Sequence, residues 1–333
     1  MLRLIAKIWK GHSAALQVAF TAVLLGLLIR VVGWRNLLEG LSAVHWPWLL
    51  ANYAVVTITF LAMGVCLRLV LVKLGVEISV GRVLLANALA NLYALVLPGD
   101  LMAGVSKWGV LAIATGERVK VLAGIVLNKL VLGLSPLVFG ALALAFESPF
   151  SSLPVAETAV TVAIAVVASI GFVLHPRGAE VVDGWLRAAS RAVPNALQRP
   201  IEKLHQAFSA FRTLGARDHL QLLSLSLLIF WLGILSFFCA TRALGLNVSI
   251  VTLVWISLAL FIARLLPITF NNLGVREGLL ILALGASQVA PALSVGVGLV
   301  MFSSSIWVGL LGAGCQLAIA LGRVRLNPTG TPP

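Results

Sequence analysis

Acidic residues are scarce in this chain: 11 Asp and Glu stand against 24 Lys and Arg, and charged residues of both signs make up 11% of 333 positions. A soluble domain carries about a quarter of its sequence as charge, so an ordinary water-facing surface is excluded. Cysteine is also rare, and Cys66, Cys239 and Cys315 all fall in apolar stretches, which offers neither a disulfide framework nor metal-ligand spacing. The five histidines lie at segment ends or in loops, without the paired spacing of a helical metal site. No Walker A run, Gly-x-Ser-x-Gly elbow or dinucleotide fingerprint occurs, so ATP use and serine-hydrolase chemistry lack support and no cofactor is expected. What remains is a chain 60% hydrophobic with a mean hydropathy of +1.07, the signature of an integral membrane protein.

Apolar runs recur at about 15–33, 47–74, 121–146, 155–174, 219–244 and 292–322, each near or above the roughly 20 residues that span a bilayer. The opening MLRLIAKIWKGH reads as the flank of a retained first helix and not of a cleaved signal: no small-residue site follows Leu28, and Arg30 with Trp34 marks an interfacial end. Two further apolar regions, 83–114 and 252–286, are interrupted by LPGD and LPITFNN. Val83–Leu97 as a helix measures about 22 Å, too short for a hydrocarbon core of roughly 30 Å, so each broken region is expected to enter the membrane and turn back.

Charge then fixes orientation. With both regions re-entrant and the N-terminus inside, eighteen of the 24 basic residues fall on cytoplasmic segments, while the external stretches 147–154, 245–251 and 287–291 hold none. Full crossings would instead export the basic 175–218 segment. The net charge of +13 therefore reports topology, and no nucleic-acid partner is expected. The predicted fold is an all-α polytopic membrane protein of six full spans plus two re-entrant helical hairpins, one membrane domain over 1–333. Its first half, 1–174, holds the hairpin near 83–114, and its second half, 219–325, holds the one near 252–286. Between them, 175–218 is a basic cytoplasmic connector in which Ile201, Leu204, Phe208, Phe211 and Leu214 repeat at helical spacing, the pattern of an amphipathic helix on the inner leaflet. Both termini are expected on the cytoplasmic side of the inner (plasma) membrane.

ALVLPGDLMAGVSKW aligns with ARLLPITFNNLGVREG when one residue is gapped, matching Ala94 to Ala263, Pro98 to Pro267 and Gly104-Val105 to Gly274-Val275. Two halves of opposite orientation with interrupted helices at equivalent places follow the inverted-repeat plan of transporters, which put the substrate near the midplane. Pro98, Gly99, Gly104, Pro267 and Gly274 are the expected hinges. A charge at the bilayer centre costs roughly 2.5–3.5 kcal/mol on insertion scales, so Asp100, Lys107, Lys129, Arg264, Arg276 and Glu277 each call for a partner, water or a ligand. Asp100, Asn271 and Asn272 precede helical runs and suit helix N-caps, giving two inward helix starts whose partial positive charge favours an anion. Asn87 and Asn91, four apart, share a helix face and offer hydrogen bonds. Arg264 and Arg276 are expected to hold a phosphate, whereas Lys107 and Glu277, at equivalent repeat positions with opposite charge, either contact the ligand or bridge the two halves. Gly309, Gly312 and Gly314 allow close helix contact, within one chain or between two; the oligomeric state stays open.

NNLGVREGLL resembles the Gly-x-Gly-Val-Arg-Glu run of the lysylphosphatidylglycerol synthase transmembrane, flippase-like family; LPGDLMAGVSKW is similar to its Pro-Gly motif and LNKLVLGL to a third stretch. The resemblance implies a polytopic bundle that moves lipids between leaflets and marks Pro98, Gly99, Lys107, Lys129, Gly274, Arg276 and Glu277. The chain departs from the pattern at Lys107 and Lys129, where arginine is common, at Asp100 after Pro-Gly, and at Asn272 in place of the first glycine. No soluble aminoacyl-transferase domain follows Arg325, so a stand-alone member is expected. The function so indicated is a lipid translocase and not an enzyme. It would bind an anionic phospholipid or polyprenyl-phosphate-linked lipid, with Arg264 and Arg276 on the phosphate and Asp100 and Glu277 balancing charge, while one half rocks against the other. A separate lipid-modifying enzyme or glycosyltransferase is the possible protein partner. The alternative is an intramembrane transferase, or an accessory subunit of a glycosyltransferase, acting on a polyprenyl phosphate.

Overall fold

The computed structural model describes residues 44–96, 99–147, 215–265 and 273–321, with six isolated positions between 161 and 184. The runs at 15–33 and 155–174, the amphipathic repeat at 201–214, and Pro98, Pro267, Asn271 and Asn272 lie outside the described residues. Among the described residues there are eight helices and no strand: α1 Trp46–Lys73, α2 Val80–Val96, α3 Gly99–Thr115, α4 Arg118–Phe146, α5 Ala216–Ala243, α6 Ile250–Leu265, α7 Val275–Gly285 and α8 Pro291–Ala320. The four long ones, α1, α4, α5 and α8, are long and apolar enough to cross a membrane. Their bounds fall within a few residues of those expected from hydropathy. The starts of α4 and α5 shift most, and equally; α5 takes in the last residues of the basic connector because Arg217 and Asp218 form its first turn.

Both described halves run long, short, short, long. α2 and α3 have 17 residues each, α6 has 16 and α7 has 11; even the longest measures about 26 Å, below the hydrocarbon thickness. The same turn follows the first long helix of each half. Leu74-Gly75 and Leu244-Gly245 both place glycine at φ 72°, where a Cβ would be strained. Val76 N–H then donates to the Leu71 carbonyl and Leu246 N–H to that of Thr241, both at 3.0 Å, a Schellman closure. Four residues after each glycine, Ser79 and Ser249 accept a backbone N–H from Arg82 and Thr252 and so cap the next helix.

α1 and α5 pack antiparallel. His45 N–H donates to the Ala243 carbonyl at 2.7 Å, Lys73 Nζ meets Asp218 Oδ1 at 2.6 Å at the opposite end, and between them Ser236 Oγ donates to Asn52 Oδ1 at 2.7 Å. Asn52, fully buried, also donates to Ser304 Oγ of α8 at 2.7 Å. Asn52→Leu removes both contacts and is expected to cost about 1–2 kcal/mol, the range for interhelical hydrogen bonds in apolar surroundings; thermal unfolding in detergent measures it.

The short helices begin and end at one end of the bundle. Val76 and Ile78, ahead of α2, share a core cluster with Leu111 of α3 and Val121 of α4, and Trp108 Nε1 donates to the Arg118 carbonyl at 2.7 Å. At the other end, Leu244 and Val248, ahead of α6, cluster with Leu284 of α7, Val289 beyond it and Val297 of α8. α4 runs between the two ends: Glu147, its C-cap, accepts hydrogen bonds from Ser249 Oγ at 3.0 Å and Thr252 Oγ1 at 2.9 Å at the start of α6.

Glycines seat each outer short helix on the opposite half. A Cβ on Gly140 of α4 would overlap Leu258 of α6, and one on Gly133 would lie 2.9 Å from the Phe261 ring. On α8, a Cβ at Gly309 would overlap Leu95 and one at Gly312 the Ala88 carbonyl oxygen, both of α2. Two of the three glycines singled out in the last span thus serve contacts within one chain, while Gly314 faces open space. Because α2 sits on α8 and α6 on α4, the sequence halves interlock.

Candidate functional site

Polar residues gather toward the ends of the short helices, where α6 closes and α7 opens. α7 starts at Gly274, its N-cap, at φ 86° and ψ −49°, a region glycine enters without penalty. Gly274 takes the N-cap position, and the Asn271-Asn272 pair expected to cap this helix lies outside the described residues. Glu277, three residues on, folds back so that Oε2 accepts the Gly274 N–H at 2.6 Å, the return half of a capping box. Its Oε1 accepts from Arg276 Nε at 2.9 Å and also from Arg276 Nη2. The pair is deeply buried, with Glu277 1% and Arg276 5% exposed.

α8 closes this pair in. A Cβ on Gly298 would lie 2.9 Å from both Glu277 Cγ and Oε1, so only glycine lets α8 approach the carboxylate. The Arg276 guanidinium sits 5.8 Å from the Phe302 ring centroid, within cation–π range. Arg276, expected to hold a ligand phosphate, is thus held by its own neighbour. Glu277 does not bridge to Lys107, because its carboxylate is taken up by Arg276 and the Gly274 N–H. The positive end of α7 is likewise answered by Glu277 from within the chain.

The first half differs at the matching place. α3 begins at Gly99, so Asp100 stands within its first turn and not ahead of it. Gly104 is helical with nothing near its Cβ position, and Lys107, aligned with Glu277, is half-buried. Asn91 Nδ2 donates to the Asn87 carbonyl at 2.8 Å, one turn back along its own helix. Asn87 is buried and its Oδ1 has no hydrogen-bond partner among the described residues; the same holds for Asn128 Oδ1 on α4. A buried acceptor left unpaired costs about 1–3 kcal/mol, so both invite a donor from water or ligand. Asn128 was not singled out from sequence, although an amide inside the apolar run at 121–146 was the available signal.

Two of the expected site cations are exposed. Arg264 lies in the last turn of α6 and Lys129 on α4 one turn before Gly133; both are exposed. Lys129 makes no hydrogen bond or ion pair among the described residues. Of the expected basic set, Lys129 stands one turn before Gly133 and Arg264 one turn after Phe261, the two residues that meet in the α4–α6 seam, while Arg276 is held in its buried pair. Chemically the region offers cationic donors to an anion and unpaired amide oxygens to a donor. Among the described residues no group of His, Cys, Asp and Glu is arranged to hold a metal.

A family model described as Lysylphosphatidylglycerol synthase TM region matches residues 14–313, nearly the whole chain. The chain belongs to this family. Within the lysylphosphatidylglycerol synthase transmembrane family, the Gly-Val-Arg-Glu run of this member, Gly274–Glu277, acquires a physical role: a left-handed glycine cap, a folded-back carboxylate and a buried guanidinium locked against α8. Membership places the protein among membrane proteins connected with lipid handling. Searches of curated proteins and of solved structures returned no match.

Proposed function

We propose that this protein is a membrane lipid translocase. It binds the phosphate of a phospholipid or polyprenyl-phosphate-linked lipid between two re-entrant hairpins and moves it across the bilayer without covalent change. The carrying observation is the pair of short-helix hairpins, α2–α3 and α6–α7, each starting and finishing at one end of the bundle, the two from opposite ends. With the apolar runs at 15–33 and 155–174 as further crossings, this reading has six spans and an inverted repeat. The antiparallel packing of α1 on α5 and the repeated Leu-Gly-x-x-x-Ser turn support it. The excess of basic residues on the segments assigned inside puts both termini in the cytoplasm at the plasma membrane.

In this mechanism α1 and α5, tied at both ends, form the frame. α6 seated on α4 and α2 seated on α8 move against it, opening the deep ends of the hairpins to one leaflet and then the other. Arg264 neutralises the phosphate while the acyl chains stay in hydrocarbon. The Arg276–Glu277 pair keeps the second hairpin in register on α8. A separate lipid-modifying enzyme supplies or consumes the lipid.

Purified protein reconstituted with fluorescently labelled phosphatidylglycerol, scored by quencher access to the outer leaflet, tests this. Wild-type protein is expected to move the probe, and Arg264→Ala to slow it roughly tenfold, equivalent to about 1.4 kcal/mol of lost interaction. A wild-type rate from Arg264→Ala contradicts the assigned phosphate contact, and empty-vesicle rates from wild-type protein contradict translocation.

A further inference from the structure

We propose that Asn87 and Asn128 form a subsite for the hydroxyl groups of the carried lipid's headgroup, set where the apolar core of the first described half ends. The proposal rests on the translocase reading and names the headgroup chemistry which that reading leaves open. Near the end of the bundle where the first hairpin starts, Leu67 and Leu71 of α1, Val83 of α2, Leu111 of α3 and Val121 and Ile125 of α4 close into one apolar cluster. One turn further in, the same stripes change character. Asn87 follows Val83 by four residues on α2, Asn128 follows Ile125 by three on α4, and Gly64 precedes Leu67 by three on α1. A Cβ on Gly64 would stand 3.7 Å from Asn87 Nδ2, so that amide lies against α1. Gly124 sets the level of the other: its Cβ would lie 2.6 Å from Leu71 Cδ2 and 3.4 Å from Leu74 Cδ1. α4 rises from the end where α1 finishes, so Asn128, one turn beyond Gly124, comes level with Leu67, one turn before Leu71. Leu67 and Gly64 are about 4.5 Å apart along the axis, which brings both amides to one short stretch of α1.

Both side chains are deeply buried, at 4% and 8% exposure, and Oδ1 of each has no hydrogen-bond partner among the described residues. A structural amide in this bundle is satisfied: Asn52 donates to Ser304 and accepts from Ser236. The Asn87 and Asn128 oxygens tie no described helices together, yet each costs more inside the fold than leucine would, the mark of polar groups that serve a ligand. Gly104, on the stripe of Leu111 in α3, has no heavy atom within 4 Å of where a Cβ would stand, which leaves room deeper along that face. An unpaired oxygen calls for a donor, and the candidates separate on charge. Two neutral amides among apolar side chains do not offset the desolvation of a cation, and a metal ion needs about six oxygens. A hydroxyl needs one acceptor and returns its own oxygen to an amide N–H. Two acceptors within about a turn of each other suit a headgroup with more than one hydroxyl, glycerol or a sugar. The position also suits passage. In the mechanism above α2 moves with α8 against the α1–α5 frame, and Asn87 and Gly64 lie on the two sides of that joint.

The test uses the full-length protein in nanodiscs of equimolar dioleoylphosphatidylglycerol and dioleoylphosphatidylmethanol, which carry the same phosphodiester charge and differ in headgroup hydroxyls. Retained lipid is read by native mass spectrometry. Wild-type protein is expected to favour the glycerol headgroup about tenfold, the effect of roughly two net hydrogen bonds. The Asn87→Leu, Asn128→Leu double variant should retain both lipids equally while unfolding no earlier than wild type on heating, because neither amide oxygen has a partner to lose. Excess free glycerol should leave the wild-type preference unchanged, since it has no acyl chains to carry it into the bilayer. The single variants serve if the double variant does not elute as a folded species, each losing part of the preference. Equal retention by wild-type protein, as expected if the amides hold water alone, overturns the subsite. So does a preference that survives in the leucine variants or yields to free glycerol. A preference lost in the variants while wild-type protein fails to translocate lipid leaves the subsite standing and removes the translocase reading; lipid moved by wild-type protein without headgroup preference does the reverse.

Discussion

Glu277→Ala is expected to destabilise the folded bundle by about 3–5 kcal/mol, the loss typical when one member of a buried ion pair is removed. Three groups are stranded together: the Arg276 guanidinium, 5% exposed, the Gly274 N–H that Glu277 Oε2 accepts at 2.6 Å, and the wall of α8 at Gly298, shaped to the carboxylate. Glu277→Gln should lose less, because an amide oxygen still accepts from Gly274 N–H. Arg276→Met combined with Glu277→Met should recover part of the loss, since no uncompensated charge remains. Denaturant unfolding in detergent micelles followed by tryptophan fluorescence gives the cycle. A single alanine variant as stable as wild type means the pair does not hold α7 on α8.

Gly312→Val is expected to be the most damaging glycine substitution in the described bundle. Its Cβ would overlap the carbonyl oxygen of Ala88 and lie 2.9 Å from Leu92 Cβ. Overpacking usually costs about 1–3 kcal/mol; here the obstacle is backbone, which cannot change rotamer, so the cost belongs at or above the top of that range and α2 is expelled from α8. Gly314→Val, two residues away with nothing near its Cβ position, is the internal control and should stay within about 0.5 kcal/mol of wild type. Thermal unfolding of the two variants side by side separates a specific seat from a general intolerance of bulk.

The long helices were legible in the sequence because spanning length is a property of composition: the run at 121–146 and α4 at Arg118–Phe146 end at the same residue. The short helices were legible because LPGD and LPITFNN interrupt apolar runs that are too short on either side. The seats at Gly133 and Gly140 were not, since a glycine in a helix announces a close approach without naming what approaches. The Arg276–Glu277 pair was hidden for a geometric reason. Adjacent residues on a helix do not face each other, and the pairing exists only because Glu277 turns back to cap Gly274. The Leu-Gly-x-x-x-Ser repeat at 74–79 and 244–249 was readable but passed over; it sits ahead of each hairpin, and structure shows it as the same Schellman turn and serine cap twice. Lys129 draws notice in the sequence as a charge within an apolar run, but its exposure depends on which helices pack against α4.

Side-specific labelling of single cysteines tests the opposed-hairpin architecture most directly. Glu77 and Glu117 bracket the first hairpin, Asn247 and Ser287 the second, and all four are exposed. In a background without Cys66, Cys239 and Cys315, a membrane-impermeant maleimide applied to oriented vesicles should reach Glu77→Cys and Glu117→Cys from one face only, and Asn247→Cys and Ser287→Cys only from the other. Labelling of Glu77→Cys and Glu117→Cys from opposite faces would make α2–α3 a full crossing and contradict the paired re-entrant hairpins on which lipid translocation is argued.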